Sequence, residues 1–186
     1  MKRATTEQYD IRGILEEMRD DYRRAVEVGE EEVVTATRDY VIFALGAELY
    51  GIESRFSREV LRLPRFVVVP RLPEHFVGLF NLRGQIHAIT DLRPLLGLPR
   101  QAVAPRTQVI VVEAVGLSTA LCTDGVKGIA AIPLETIEPL QEDLTGLGRE
   151  VLSGRAPYGS GTMLLIDLER LFDRPELVID INSAAL

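Results

Sequence analysis

From Asp39 onward the chain is a succession of short β-rich runs, and the intervals between most of them are too short for helical crossovers. This spacing constrains the fold more than any other feature of the sequence. The runs are DYVIFAL (39–45), ELYGIE (48–53), FVVV (66–69), VGLFNL (77–82), QIHAITD (85–91), TQVIVVEAV (107–115), LSTALCTD (117–124), VKGIAAIP (126–133) and TMLLID (162–167). Gly46-Ala47, Pro70, Pro73, Arg83-Gly84, Gly116, Gly125 and Gly159-Ser160-Gly161 punctuate them as turns. The pattern predicts a mainly antiparallel sheet closed into a barrel or sandwich. Trp is absent and only 11 residues are Phe or Tyr, so aliphatic and β-branched side chains must supply most of the core.

Two helical turns interrupt the strands. Thr90 or Asp91 can cap a turn through Leu95 and Leu96 that Gly97 stops, and Leu168 to Phe172 form another after Asp167. Each follows an aliphatic strand ending in aspartate, ITDLRPLL and LIDLERLF, which is a faint internal repeat. The repeat suggests two related β units, one over roughly 39–99 and one over roughly 107–172, with GLPRQAVAPR (97–106) as the connector.

Residues 7–28 follow a different period. Ile11, Ile14, Leu15, Met18, Tyr22 and Val26 recur in steps of three and four, one stripe of an amphipathic helix. Thr5 and Gln8 have capping-box spacing, Gly29 is a stop, and Glu30 to Glu32 make an acidic linker, so residues 1–32 read as a separate N-terminal helix and linker. The stripe needs a covering surface, either the chain's own globular body or a docking partner.

Charge is unevenly placed. The net charge is −7, which argues against nucleic acid as a partner. Residues 55–106 hold nine arginines against three acids, whereas 7–32 hold ten acids against four bases. Such polarity suits docking to protein surfaces of defined sign. The acidic N-terminal helix could also mask the basic stretch while no partner is bound. No apolar run reaches membrane-spanning length, and MKRATTEQYD lacks a signal-peptide core, so the expectation is a cytosolic protein without membrane insertion.

Reactive motifs are missing. There is no Walker A loop, dinucleotide fingerprint, nucleophile elbow or HExxH zinc motif. His75, His87 and Cys122 supply too few ligands for a metal site, and Cys122 in its apolar run reads as a buried thiol. No catalytic residue, cofactor or metal is expected. A binding module is favoured over an enzyme; a sensor holding a small molecule between two barrels is the alternative.

The segment FVGLFNLRGQIHAITDLRPLLGL (76–98) resembles the signature of CheW-type chemotaxis coupling proteins, through Gly78, Asn81, Leu82, Arg83, Gly84, Asp91, Leu92 and Arg93. The resemblance extends upstream through residues 40–62, including Arg58-Glu59-Val60, and downstream through 107–133 and 162–172. It implies two five-stranded SH3-like β-barrel subdomains in a domain over 39–175, followed by a C-terminal tail (176–186). It further implies a non-catalytic adaptor that couples the cytoplasmic tip of a methyl-accepting chemoreceptor to the regulatory domain of a CheA-type histidine kinase, in arrays at the inner membrane. Arg83, Glu59, Val60, Asn81 and Leu82 are the implied partner-binding residues, with an Arg83–Glu59 pair expected. Gly78, Gly84 and Asp91 are implied as structural, Asp91 as a helix cap. The chain departs from the family at Ala88, where proline is usual, in the density of arginines at 55, 58, 62, 65 and 71, and in its N-terminal helix.

Overall fold

The structure is a computed structural model, and it describes residues 35–104, 106–140 and 147–177. The chain divides into two units, Met1–Thr35 and Ala36–Leu186. The expected N-terminal helix and linker lie outside the described residues, as does the C-terminal tail beyond residue 177.

Among its described residues the second unit carries ten strands: β1 (Thr37–Leu45), β2 (Glu48–Glu53), β3 (Ser57–Arg62), β4 (Phe76–Leu82), β5 (Gln85–Thr90), β6 (Gln108–Ala114), β7 (Leu117–Thr123), β8 (Gly125–Pro133), β9 (Leu152–Tyr158) and β10 (Gly161–Ile166). They form two five-stranded sheets, here A with order β8-β1-β2-β10-β9 and B with order β3-β6-β7-β5-β4. All neighbours pair antiparallel except β2 with β10 and β5 with β7, which are parallel. Two short helices complete the described unit, α1 (Leu147–Val151) and α2 (Leu168–Phe172).

The strands do not divide between the sheets as the sequence halves suggest. The expected units, 39–99 and 107–172, each exchange a hairpin. Hairpin β1–β2 from the first half joins β8, β9 and β10 of the second, and hairpin β6–β7 joins β3, β4 and β5. The repeat itself is real. In each half a two-residue hairpin is followed by a bulged edge strand and a second two-residue hairpin. The bulge at Arg58 in β3 matches the one at Lys127 in β8, and the register shift at Val77 in β4 matches that at Ser153 in β9. Periodicity reports where strands are and not which strands they pair with, because pairing is a long-range choice.

Packing explains the exchange. Tyr40 and Ile42 of β1 face a cluster belonging to sheet A, with Ile132, Ala156, Met163 and Leu165. Val41, Phe43 and Leu45, on the opposite face, enter a larger cluster. Strand β6 repeats this arrangement. Val109 and Val111 face the cluster of sheet B, whereas Ile110, Val112 and Ala114 enter the same larger cluster as β1. The larger cluster is therefore shared by the two sheets, closed by Leu168, Leu171 and Phe172 of α2. A strand buried on both faces cannot show polar alternation, which is why DYVIFAL and QVIVV read as continuous apolar runs.

The two expected helical turns differ. After β10, the Asp167 carboxylate accepts from the Arg170 amide at 3.1 Å and caps α2. After β5, residues 92–97 make one turn, with the Leu96 amide on the Leu92 carbonyl and Gly97 at φ +73°, and no continuing helix. Asp91 is buried, and its Oδ1 accepts from the Arg93 backbone amide (3.0 Å), which caps the start of this single turn, and from the Arg93 guanidinium (2.9 Å).

Candidate functional site

The β4–β5 hairpin closes on Arg83-Gly84, with φ +53° and +91°. Both turn residues are left-handed, the geometry that matches the twist of two-residue hairpins. Gly84 adopts it at no steric cost. Asn81 supports the turn, its Oδ1 accepting from the Gly84 amide at 2.8 Å. The turn places the Arg83 side chain in solvent, 78% exposed, and its Nη2 donates to Glu59 Oε2 at 3.0 Å. Glu59 stands on β3, at the opposite edge of sheet B from β4. Curling of the sheet therefore brings the two edge strands to one site, and the pair expected from the sequence forms.

Around this pair lies a surface depression of about 350 Å³, lined by Arg58, Glu59, Leu82, Arg83, His87 and Glu113 among others. Its charges balance. Arg58 Nε donates to Glu113 Oε2 at 3.0 Å, a second pair that the sequence did not reveal because β3 and β6 are far apart along the chain. His87 stacks near Phe80 and its Nδ1 lies 3.3 Å from Ser118 Oγ. Among the described residues no group of His, Cys, Asp or Glu is arranged to hold a metal ion.

The other singled-out residues take different places. Val60 is exposed on β3 beside Arg58 and Arg62, on the face opposite Leu61. Leu82 packs partly on the core of sheet B while reaching the depression. Gly78 is buried where the Val67 carbonyl crosses β4; a Cβ there would sit 2.5 Å from that oxygen. Ala88 pairs with β7 in the interior of sheet B, and its carbonyl accepts from Thr119 Oγ1 at 3.0 Å. Apolar side chains also stand exposed at one end of sheet B: Ile86, Val115 and Leu117. Parallel pairing of Ala88 with Thr119 brings Ile86 and Leu117 level on one face.

At the other end of β5 the structure assembles a part-buried network, centred on the buried Arg93 and Asp91, that sequence reasoning missed. Arg93 Nη2 donates to Asp124 Oδ1 at 2.5 Å, and Asp124 Oδ2 accepts from the Gly46 amide at 2.6 Å. Burial works against the guanidinium charge, but Asp124 and Asp91 more than offset it and hold Arg93 above its ordinary pKa. The Asp-x-Arg spacing was visible in the sequence, whereas Asp124 lies 31 residues further on.

This is a two-barrel β module with internally paired charges at its depression and apolar residues on a barrel end, the make-up of a protein-docking adaptor. The CheW-like domain model matches residues 39–176, and the chain belongs to that family of chemotaxis coupling adaptors. It is 29% identical over 150 residues to the chemotaxis protein CheW of Klebsiella aerogenes, covering 81% of this chain and 90% of that one. The chemotaxis protein CheW of Treponema pallidum is 25% identical over 74% of this chain and 83% of its own. Among solved structures, the scaffolding protein TtCheW from Thermoanaerobacter tengcongensis superposes with a TM-score of 0.68 at 27% identity, covering 77% of this chain and 98% of that one.

Proposed function

We propose that this protein joins a CheA-type histidine kinase, through its regulatory domain, to the cytoplasmic tip of a methyl-accepting chemoreceptor, within receptor arrays at the inner membrane. The observation that carries the reading is the Arg83 side chain. It is mostly in solvent and braced by one carboxylate through one nitrogen, on a turn that the Asn81 side chain supports. A guanidinium presented this way suits carboxylates or helix-end carbonyls of a partner. Glu59, Val60, Asn81 and Leu82 hold or flank it. The exposed Ile86, Val115 and Leu117 add an apolar surface on which a complementary barrel end can close.

Arg83→Glu tests this. The pair with Glu59 is exposed on the Arg83 side, so its loss shifts folding stability by no more than about 0.5–1 kcal/mol. Titration calorimetry against the kinase regulatory domain and a receptor-tip fragment, run separately, is expected to show at least a tenfold loss for one of them. Wild-type protein that binds neither partner refutes the proposed function. Binding that survives the reversal refutes the role of Arg83.

A further inference from the structure

We infer that Arg93 is a positioning residue whose buried guanidinium ties the tip of hairpin β1–β2 in sheet A to the end of strand β5 in sheet B, and so sets the mutual pose of the two barrels. The inference rests on the proposed coupling role and deepens it, because a partner that touches both barrels needs them held at one angle.

Two segments meet at this side chain, and a third is joined to it through Asp124. Asp91 directly follows β5 of sheet B. Asp124 is the single residue between β7 and β8, the point where the chain passes from sheet B to sheet A. Gly46 is in the turn of β1–β2. The Asp124 amide also donates to the Ala44 carbonyl at 2.9 Å, so the crossing residue is held to sheet A by backbone and side chain together. Arg93 is 4% exposed. An ion pair at such depth adds little net stability once desolvation is counted, and removing one partner strands the other charge.

The internal repeat supplies a control within the same molecule. The counterpart of Arg93 in the second half is Glu169, two residues after Asp167 as Arg93 is two after Asp91. The counterpart of Asp124 is Arg55, just past β2 as Asp124 is just past β7. These two also face each other, with polarity reversed, but at 3.9 Å and with both side chains more than half exposed. Of the two equivalent junctions, one is tight around a buried guanidinium, with Asp124 part-exposed, and the other is loose and wet. The Arg93 junction is therefore the one that fixes the pose.

The experiment uses the full chain, spin-labelled at Gln85→Cys and Ser160→Cys, one exposed position at a hairpin end of each sheet, with Cys122 buried and out of reach. Inter-label distances are measured in the parent, in Arg93→Met, in the charge-balanced triple variant Asp91→Asn, Arg93→Met, Asp124→Asn, and in Arg55→Met. The parent and Arg55→Met are expected to give one narrow distance. The triple variant is expected to unfold cooperatively yet give a broadened distribution. Unlabelled, it should bind a partner spanning both barrels at least tenfold more weakly. A cooperatively folded triple variant with the parental distance overturns the inference, and so does one that loses cooperative unfolding, since Arg93 is then a stability residue only. Failure of the parent to bind kinase or receptor refutes the coupling role alone, because the distances still judge Arg93.

Discussion

Replacing Gly78 by alanine isolates a contact that the structure specifies in detail. The added Cβ would lie 2.5 Å from the Val67 carbonyl oxygen and 2.7 Å from Phe66 Cδ2. Neither neighbour is the free end of a flexible chain, since Val67 exchanges two backbone hydrogen bonds with Leu79, each of 2.8 Å. Relief requires segment 66–67 to swing off the edge of β4. Two backbone bonds contribute about 1 kcal/mol each, and shifting a half-buried Phe ring adds about 1 kcal/mol more. Lower entropy of the alanine chain when unfolded offsets about 0.5 kcal/mol. The net is a destabilisation of about 2–3 kcal/mol, or a Tm lowered by roughly 4–12 °C for a chain of this size. Urea unfolding measures the free energy, and amide exchange at Val67 and Leu79 reports whether the bridge has opened. Gly154 occupies the matching place in β9, 2.8 Å from the Glu138 carbonyl by the same construction, and Gly154→Ala should behave alike. Gly84→Ala is the contrast: nothing lies within 4 Å, so only its φ of +91° opposes the change, at about 1–2 kcal/mol. A Gly78→Ala protein within 0.5 kcal/mol of the parent, with both amides still protected, would refute the close-approach reasoning.

Other consequences concern the second sheet B hairpin and the buried thiol. Val115 is a β-branched residue held at φ +46° with its side chain in solvent, so Val115→Asn should stabilise the isolated protein by about 0.5–1 kcal/mol; an unchanged urea midpoint refutes the strain. Burial pushes the Cys122 thiol up to about 12, with Asp91 adding and Arg93 opposing. A raised folded pKa stabilises fully below the unfolded thiol value of about 8.5 and loses that contribution as pH rises through the folded value. Alkylation at pH 9 should accordingly be slow in native protein and fast in urea, and equal rates would show the thiol is not shielded.

The short alternating runs and their turns were legible because strand period and turn chemistry are local properties: the hairpins at Gly46-Ala47 and Arg83-Gly84 stand where the sequence places them. The helical turn after Asp167 also forms where expected, and the structure adds that the Asp167 carboxylate caps it. The two-unit repeat was legible as well. What lay beyond reach was every choice made across the chain. Which hairpin completes which sheet depends on β1 and β6 each serving two cores at once, a condition no window of residues expresses. Arg58 finds Glu113, and Arg93 finds Asp124, only after the strands between them have paired. Asp91 is an ion-pair partner as well as the cap of a single turn, since its Oδ1 accepts both the amide and the guanidinium of Arg93. The run FVVV (66–69) forms only a bridge at Val67, and strands β3 and β9 lie outside the predicted runs. Local sterics and polarity thus determined most of the elements, and the burial of two faces of the same strands decided their arrangement.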